Sequence, residues 1–394
     1  MNASTLSGGL RRCLWAALLL APAAWAQMSA LVAFEPTQRK DGLMISRPGL
    51  ETSLGQLLGQ AVTVSTTEDL TDTMRATRSG SVDLFIAPPQ VVASALAHGY
   101  ELIGSTDPQE EYVLVGRSSL TQVADIRSGR LYLPQQDSIY TYLARGMLTA
   151  HGLSFKDLSR VEYARLPQAG LMAVSLGVSD ATVIRKRDFD EWLAGNPGKA
   201  RLLASSGLVP GGFSVAVKKD LGTEQRARLA RWFGSSATSC GLKNVSAHAA
   251  APAYERVAAL GTFTPNALPG VKVVTAAEVR QMIGTGAVVV DTRTDKEFAA
   301  KRIGGARHVP YGEKSLKDVA YDPALDDFKG LAALDASKPT IFHCNGAECW
   351  KSYKASKAAL AAGFRQVFWF RGGLPEWEKA GLPVDRALQQ AGKG

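Results

Sequence analysis

The chain has 394 residues, of which 46% are hydrophobic and 21% are charged, and its formal net charge is +9. This composition is typical of a globular protein, and the length predicts two or three domains. The basic residues are dispersed and no segment resembles a nucleic-acid-binding motif, so the excess charge favours small anionic ligands over nucleic acid. The four cysteines are too few and too scattered to indicate a disulfide framework.

Residues 1–26 have the features of a secretory signal peptide. Arg11 and Arg12 precede an apolar run at 13–21, and the small residues Ala24 and Ala26 fit a cleavage site. Such a run is too short for a permanent membrane anchor, and no later run approaches membrane length. The alternative is an interfacial N-terminal helix. Removal of this segment takes away two arginines and no acidic residue, so the net charge falls from +9 to +7. We therefore expect an exported, periplasmic protein with no stable membrane anchor.

Residues 28–262 alternate short β-type runs with helical patterns, which predicts an α/β fold with largely parallel strands. The stretch is long enough for two lobes, since it exceeds the size of one small core. The predicted strands cover 30–34, 61–65, 82–86, 112–115, 130–133, 161–164, 181–184 and 213–217. The predicted helices cover 50–58, 70–78, 91–98, 140–151, 169–176, 188–194 and 224–233.

Three segments of this region have a pattern in common with one protein family. The segment 69–88 ends in Gly80-Ser-Val-Asp-Leu-Phe-Ile-Ala-Pro88, the segment 120–134 contains Asp125-Ile-Arg-Ser-Gly-Arg-Leu-Tyr-Leu-Pro134, and Ser138-Ile-Tyr-Thr-Tyr142 opens a predicted helix. Together they resemble the periplasmic phosphate/phosphonate solute-binding proteins of the PhnD-like type. The resemblance implies a two-lobed (type II) periplasmic-binding-protein-like domain that binds a small oxyanion between its lobes.

Hydroxyl groups and N–H groups at the start of a helix can satisfy the oxygens of an anion without a full countercharge. In the resembled family this role falls to the turn before the helix at 140–151, with residues of the first lobe opposite. The candidate ligand-binding residues are Ser138, Tyr140, Thr141, Pro88 and Gln90. The alternative for this turn is structural, because Asp137 or Ser138 is also a good N-cap for that helix.

Residues 263–270 contain Pro and Gly among polar residues and predict a linker to a second domain at 271–386, followed by a tail at 387–394. Here the chain predicts a helix at 277–283 capped by Thr275 and a parallel strand at 288–290. A β-type run at 340–342 leads to Cys344, and a helical pattern follows at 351–362. The expected fold is a second α/β domain with a parallel sheet.

Four motifs in this second domain occur in the order of the rhodanese (sulfurtransferase) domain. They are Val288-Val-Val-Asp-Thr-Arg293, Glu297-Phe-Ala-Ala-Lys-Arg-Ile-Gly-Gly-Ala-Arg-His-Val-Pro310, the segment around Cys344, and Gly372-Gly-Leu-Pro-Glu-Trp377 with Ala380-Gly-Leu-Pro-Val384. The domain is identified as a member of that family. The resemblance implies that Cys344 is the nucleophile and that Asp291 and Arg293 brace the catalytic loop.

A cysteine that follows a strand and faces a helix N-terminus is well placed to ionise, because loop N–H groups and the helix dipole favour negative charge. The predicted active-site loop is Asn345, Gly346, Ala347, Glu348, Cys349, Trp350 and Lys351. The resemblance implies that a small anionic sulfur donor such as thiosulfate leaves a persulfide on Cys344. A thiol or cyanide then accepts the sulfur, and neither a metal nor a cofactor is required.

Two features of the loop leave alternatives open. Glu348 is acidic and no cation precedes Lys351 in the loop, which favours a second hypothesis: a non-catalytic periplasmic binding or sensing protein whose rhodanese module recognises redox state or a partner. Cys349 is either a resolving thiol for Cys344 or a core side chain. Trp350 stands where a Cys-x5-Arg phosphatase loop needs arginine, which excludes that chemistry, and the ligand spacing excludes zinc. Outside the loop, Cys240 is expected to be buried and unreactive.

Overall fold

The computed structural model describes residues 27–35, 45–164, 166–242, 245 and 251–386, and for Pro108 the backbone only. The predicted signal peptide and the C-terminal tail lie outside these residues. Within the described ranges, no helix combines the length and the apolar character needed to cross a membrane.

Strands and helices alternate through the first domain. Its described strands are β1 (Met28–Ala33), β2 (Val62–Thr67), β3 (Leu84–Ala87), β4 (Tyr100–Arg117), β5 (Arg130–Leu133), β6 (Arg160–Tyr163), β7 (Ala181–Arg185) and β8 (Ala200–Lys218). Its described helices are α1 (Arg47–Leu58), α2 (Leu70–Ser79), α3 (Pro89–Ala97), α4 (Ile139–Ala150), α5 (Pro167–Ser175), α6 (Lys186–Gly195), α7 (Thr223–Ser235) and α8 (Ala251–Ala259). Every predicted strand and helix of this domain overlaps a described one, but α8 was not predicted.

The first domain has two lobes that share one sheet. The strand order is β2-β1-β3-β8-β4-β7-β5-β6. The pairs β1–β2, β1–β3, β5–β6 and β5–β7 are parallel. The prediction of largely parallel strands is wrong at the centre, where β3–β8, β4–β8 and β4–β7 are antiparallel. The strands β4 (18 residues) and β8 (19 residues) are much longer than predicted and run through both lobes. Register shifts along their ladder break the period-2 alternation by which a strand is recognised in a sequence.

Helix α2 lies at the surface that later meets the second domain. Its N-cap residue Asp69 accepts a hydrogen bond from the N–H of Asp72 at 2.8 Å, and Gly80 ends the helix in the left-handed conformation at φ +62°. Leu70 and Met74 are buried on its inner face. The cap and the buried stripe fix where α2 begins, ends and points.

Hydrophobic side chains form two clusters in this domain. One joins the two lobes and includes Phe85, Tyr112 and Leu143. The other packs under α1 and α7 and includes Phe213 and Trp232. The junction between the lobes is therefore closed by apolar packing, and a polar side chain placed there needs a hydrogen-bonding partner.

The second domain contains a five-stranded and a two-stranded sheet within the described residues. Its strands are β9 (Lys272–Val273), β10 (Val288–Asp291), β11 (Lys301–Ile303), β12 (Arg307–His308), β13 (Thr340–His343), β14 (Val367–Phe370) and β15 (Val384–Arg386). Its helices are α9 (Ala276–Gly284), α10 (Asp295–Ala300), α11 (Trp350–Ala361) and α12 (Gly373–Lys379). The predicted parallel sheet is confirmed, with order β12-β10-β13-β14-β9 and every pair parallel.

Strand β13 is the centre of this sheet, so its side chains are buried on both faces. Ile341 packs in one cluster with Trp377, and Phe342 packs in another with Val290. All five strands end at the same edge because they are parallel. Cys344 directly follows β13 and is therefore presented at the carboxyl edge of the sheet, where open α/β sheets place their ligands.

Candidate active site at the domain interface

The loop that carries Cys344 is shaped by glycines. Residues 345–349 connect β13 to α11, and Cys349 stands at the N-cap of that helix. Gly346 has φ +93°, a conformation that favours glycine. A Cβ on Gly373 would lie 2.1 Å from the carbonyl oxygen of Cys344, so only glycine allows this approach. The first N–H groups of α11 have no partner within the helix, and they give this corner a positive potential.

Cys344 and Cys349 are joined by a disulfide bond with their Cα atoms 6.3 Å apart. The few, scattered cysteines argued against a disulfide framework, and among the described residues the one disulfide is confined to this loop. Cys344 is 1% exposed and Cys349 is 5% exposed. The side chain of Cys349 thus lies in contact with Cys344 and is buried as well, so the oxidised loop must be reduced before Cys344 can act as a thiolate. Cys240 is a free, buried thiol, as predicted.

Asp291 and Arg293 form a buried pair beneath the loop. Arg293 Nη2 lies 2.6 Å from Asp291 Oδ2, and both side chains are almost fully inaccessible. Arg293 Nη1 is also 3.4 Å from Asn345 Oδ1, while Asn345 Nδ2 donates to Glu297 Oε1 at 2.5 Å. The residue after Cys344 is therefore held from both sides. Burial alone would raise the pKa of Glu297, but hydrogen bonds from Thr294 and Asn345 hold it below its ordinary value.

His343 is a core residue. Its ring is fully buried, Nε2 lies 3.6 Å from Asp291 Oδ2, and burial lowers its pKa, so the imidazole is neutral at pH 7. Across the described residues, no three or more His, Cys, Asp and Glu side chains are grouped to hold a metal ion.

Glu348 is paired across the domain boundary. Arg78 Nη1 on α2 lies 3.1 Å from Glu348 Oε2, and both side chains are largely buried. Ser94 Oγ of the first domain is 3.5 Å from the same oxygen. The negative charge that counts against an anionic donor in the sequence is thus neutralised in the fold. Because 270 residues separate the partners, no local pattern indicates this pair.

The linker between the two domains is hydrogen-bonded to the loop that carries Cys344. Thr264 donates to the carbonyl of Ala347 from its N–H at 2.8 Å and from its hydroxyl at 2.7 Å. Trp350 Nε1 donates to the carbonyl of Thr262 at 3.0 Å, and Arg371 donates to the carbonyl of Pro265 at 2.9 Å. Residues 262–265 therefore hold the outer side of the loop, while α2 and α3 hold the side that faces the first domain.

Lys351 in the first turn of α11 is 7% exposed and lines a cavity of about 860 Å³ together with Thr294, Arg307 and His308. Among the described residues, no side chain or carbonyl forms a hydrogen bond or ion pair with its ammonium group. Burial, and next the charge of Arg75 on α2, lower the pKa of Lys351. The carboxylates of Glu297, Glu313 and Asp72 act on the pKa of Lys351 in the opposite direction.

The candidate ligand-binding residues of the first domain lie at the junction of the lobes. There they are already in contact with other groups of the protein. Ser138 is the N-cap of α4 and accepts from the N–H of Thr141 at 3.3 Å, while the Thr141 hydroxyl donates to a main-chain carbonyl. Tyr140 packs edge-on against Tyr112. Pro88 caps α3, and Gln90 reaches across to the second lobe, where its amide donates to the carbonyl of Asp137 at 3.1 Å.

Sequence reasoning missed Glu35, which stands just after β1. Its Oε1 accepts from the N–H of Ile139 at the start of α4 at 2.8 Å and from Gln90 Nε2 at 2.7 Å. A carboxylate of the chain itself thus lies at the helix N-terminus that the resemblance assigns to an anionic ligand. Burial raises the pKa of Glu35 to about 7. The only sequence signal is a carboxylate at the end of an apolar strand.

The titration of Glu35 predicts a loss of stability with rising pH. Between its ordinary value of 4.5 and about 7 the folded state keeps a proton that the unfolded chain has released. This contribution is complete below pH 4.5 and is lost as the pH rises through 7, which amounts to about 3 kcal/mol. We expect Glu35→Gln to abolish this loss, measured as urea unfolding of the first domain at pH 5 and pH 8. Glu191→Gln, at an exposed site on α6, is the control, and the interpretation is wrong if Glu35→Gln follows the wild-type pH dependence.

Comparison with known proteins matches both halves of the chain. Residues 32–254 match the family described as ABC transporter, phosphonate, periplasmic substrate-binding protein, and residues 275–380 match the rhodanese-like domain. The thiosulfate sulfurtransferase GlpE of Pseudomonas aeruginosa is 29% identical over 115 residues, which are 29% of this chain and 89% of GlpE. The HTH-type transcriptional regulator Rv0324 of Mycobacterium tuberculosis is 33% identical over 113 residues, which cover 28% of this chain but only 44% of that protein. The structure of PhnD1 from Prochlorococcus marinus, solved with methylphosphonate, is 15% identical and covers 60% of this chain and 97% of its own, with a TM-score of 0.47.

The fold and the site define an α/β protein in which a two-lobed, PhnD-like periplasmic-binding-protein domain precedes a rhodanese-like domain with a parallel sheet. The first match spans more than half of the sequence. The chain therefore belongs to the phosphonate-type periplasmic substrate-binding protein family, and it carries a rhodanese-like domain at 275–380.

Proposed function

We propose that the protein is an exported sulfurtransferase that carries sulfane sulfur as a persulfide on Cys344, and that its first domain binds a small oxyanion or a partner. The supporting observation is the position of Cys344 between the central parallel strand and the N-terminus of α11, on a loop braced by Arg293 and Glu297. The match to the rhodanese-like domain and the likeness to a thiosulfate sulfurtransferase support the same chemistry.

The transfer has two steps. The Cys344 thiolate attacks the outer sulfur of thiosulfate, the S–S bond of the donor breaks, and sulfite leaves with its electron pair, so that a Cys344 persulfide remains. Cyanide or a thiolate then attacks the outer persulfide sulfur and regenerates the thiolate. The terminal persulfide sulfur carries negative charge, and N–H groups of the loop and of α11 are the donors available to stabilise it.

The second cysteine offers another way to discharge the persulfide. A Cys349 thiolate that attacks Cys344 Sγ forms the disulfide found in the structure and expels the outer sulfur as hydrosulfide. A dithiol reductant must then restore both thiols. In this cycle Cys349, rather than an added thiol or cyanide, is the first group to attack the persulfide.

Replacement of Cys349 separates the two cycles. If Cys349 is the resolving thiol, reduced Cys349→Ser protein incubated with thiosulfate accumulates the persulfide on Cys344, and hydrosulfide release falls at least about tenfold. Intact-protein and peptide mass spectrometry read the added sulfur atom on Cys344, and methylene blue reads the hydrosulfide. Unchanged hydrosulfide release would show that Cys349 takes no part. Absence of added sulfur in both the wild type and the variant, with any sulfane donor, would overturn the transferase proposal.

A second candidate function is a redox-responsive or partner-recognition module without turnover. The Cys344–Cys349 disulfide and the 1% exposure of Cys344 favour it. In this case the purified protein transfers no sulfur, while reduction of the disulfide changes the binding of a partner or of a ligand of the first domain.

The family of the first domain supports a periplasmic location. The export signal at residues 1–26 belongs to the same proposal. N-terminal sequencing of protein recovered from a periplasmic extract tests it, with cleavage after Ala26 as the expected result.

A further inference from the structure

Two arginines of α2 face the rhodanese-like domain. Arg75 and Arg78 are three positions apart, so they lie on one side of the helix. Arg78 reaches the active-site loop directly, through its ion pair with Glu348. Cations of the first domain therefore stand beside a loop that has none of its own before Lys351.

Arg75 lines a cavity of about 430 Å³ between the two domains, together with Arg293, Thr294 and Glu297. Arg293 and Glu297 are the residues that hold Asn345, the neighbour of Cys344. Arg75 is held by Asp72 of its own helix at 2.6 Å. One side of this cavity is thus formed by the residues that hold the catalytic loop, and the other side is formed by α2 of the first domain.

Lys351 lines the neighbouring cavity of the rhodanese-like domain. Thr294 lines both the interdomain cavity and the cavity of Lys351, so the two cavities adjoin at this residue. The charge of Arg75 acts on Lys351 strongly enough to help lower its pKa. Lys351 is 7% exposed, and within the described part of the chain its ammonium makes no hydrogen bond or ion pair. Two cations that line adjoining cavities, one of them without an ion pair, form a site for an anion.

We propose that Arg75 and Lys351 form an anion subsite across the domain interface, and that it holds the sulfonate-like end of a small sulfane-sulfur donor beside Cys344. The planar guanidinium binds two oxygens of a tetrahedral head group and the ammonium binds a third as a point charge. The first domain thereby completes the active site, and it supplies the positive charge that the loop lacks. This inference rests on the proposed sulfurtransferase function and names its substrate class.

The test uses the reduced full-length protein with thiosulfate as donor and cyanide as acceptor. We expect Arg75→Gln to raise the KM for thiosulfate about tenfold or more with little change in kcat, because a charge-assisted contact to the bound donor is lost. Arg75→Lys, which keeps the charge, should recover part of the loss. Arg47→Gln is the matched control, since Arg47 also pairs within its helix, with Glu51, and lies outside the interface cavities.

A binding measurement separates this inference from the proposed function. Titration calorimetry of thiosulfate into reduced Cys344→Ser protein should show binding that weakens about tenfold when Arg75→Gln or Lys351→Met is added, and inorganic sulfate should compete. If the wild type transfers sulfur but Arg75→Gln keeps the KM and affinity of the Arg47→Gln control, the subsite is overturned. If the wild type transfers no sulfur but thiosulfate binding still depends on Arg75, the transferase proposal fails and the anion site stands.

Discussion

Cys344→Ser is expected to lower thiosulfate:cyanide sulfurtransfer by at least about a thousandfold, because removal of an attacking nucleophile eliminates the covalent pathway itself. Serine is similar in size to cysteine, so the loop and its glycine contacts remain. At neutral pH its hydroxyl does not ionise, and it cannot hold a transferable sulfur. The measurement is thiocyanate formation by reduced, full-length protein, together with mass spectrometry of the peptide that contains residue 344.

Cys240→Ser is the control for this change. Cys240 is the free cysteine of the described residues and lies in the first domain, remote from the loop. Its replacement should leave turnover per folded molecule unchanged. Residual activity in Cys344→Ser within tenfold of the wild type would move the chemistry to another residue.

Arg293→Ala is expected to destabilise the rhodanese-like domain by about 3 to 5 kcal/mol, because it leaves the carboxylate of Asp291 buried without its main partner. Arg293 is 1% exposed and makes two-pronged contact with Asp291 as well as a hydrogen bond to the carbonyl of Lys301 at 2.6 Å. The loss is best read by hydrogen-exchange mass spectrometry of peptides from β13, since a chain with two domains need not unfold in one step. Exchange in β13 should accelerate at least about a hundredfold.

Arg280→Ala provides the comparison. Arg280 lies exposed on α9 of the same domain, and its removal should change stability by no more than about 0.5 kcal/mol. Equal exchange in the two variants would mean that the Asp291–Arg293 pair contributes little to the stability of the domain, and that apolar packing around β13 supplies most of it.

The loop of Cys344 could be located from the sequence because its signals are local. An apolar run, one cysteine, a glycine and a helical pattern follow one another within about twenty residues, and parallel strands bring such a loop to a known edge of the sheet. The helix cap at Thr275 is equally local, and the structure shows it with Glu278 as its reciprocal partner.

Features that depend on residues far apart along the chain could not be predicted from the sequence. The long antiparallel strands β4 and β8 pair residues 83 to 118 positions apart and contain register shifts, so neither their length nor their direction shows in a short window. Arg78 and Glu348 are both ordinary surface residues by type, and only the docking of the domains makes them a buried pair. Glu35 follows the same rule, since its partners on α3 and α4 come much later in the chain.

The hydrogen bonds of Thr262 and Thr264 to Trp350 and Ala347 bear on how this protein can be divided. A fragment that starts at Val271 would keep every residue of the rhodanese-like sheet. It would lose the linker hydrogen bonds that hold the loop of Cys344. The carbonyl of Ala347 and the indole N–H of Trp350 would then turn to water in place of these partners. The proposed sulfur transfer is therefore best measured on the intact chain, in which the linker holds the loop.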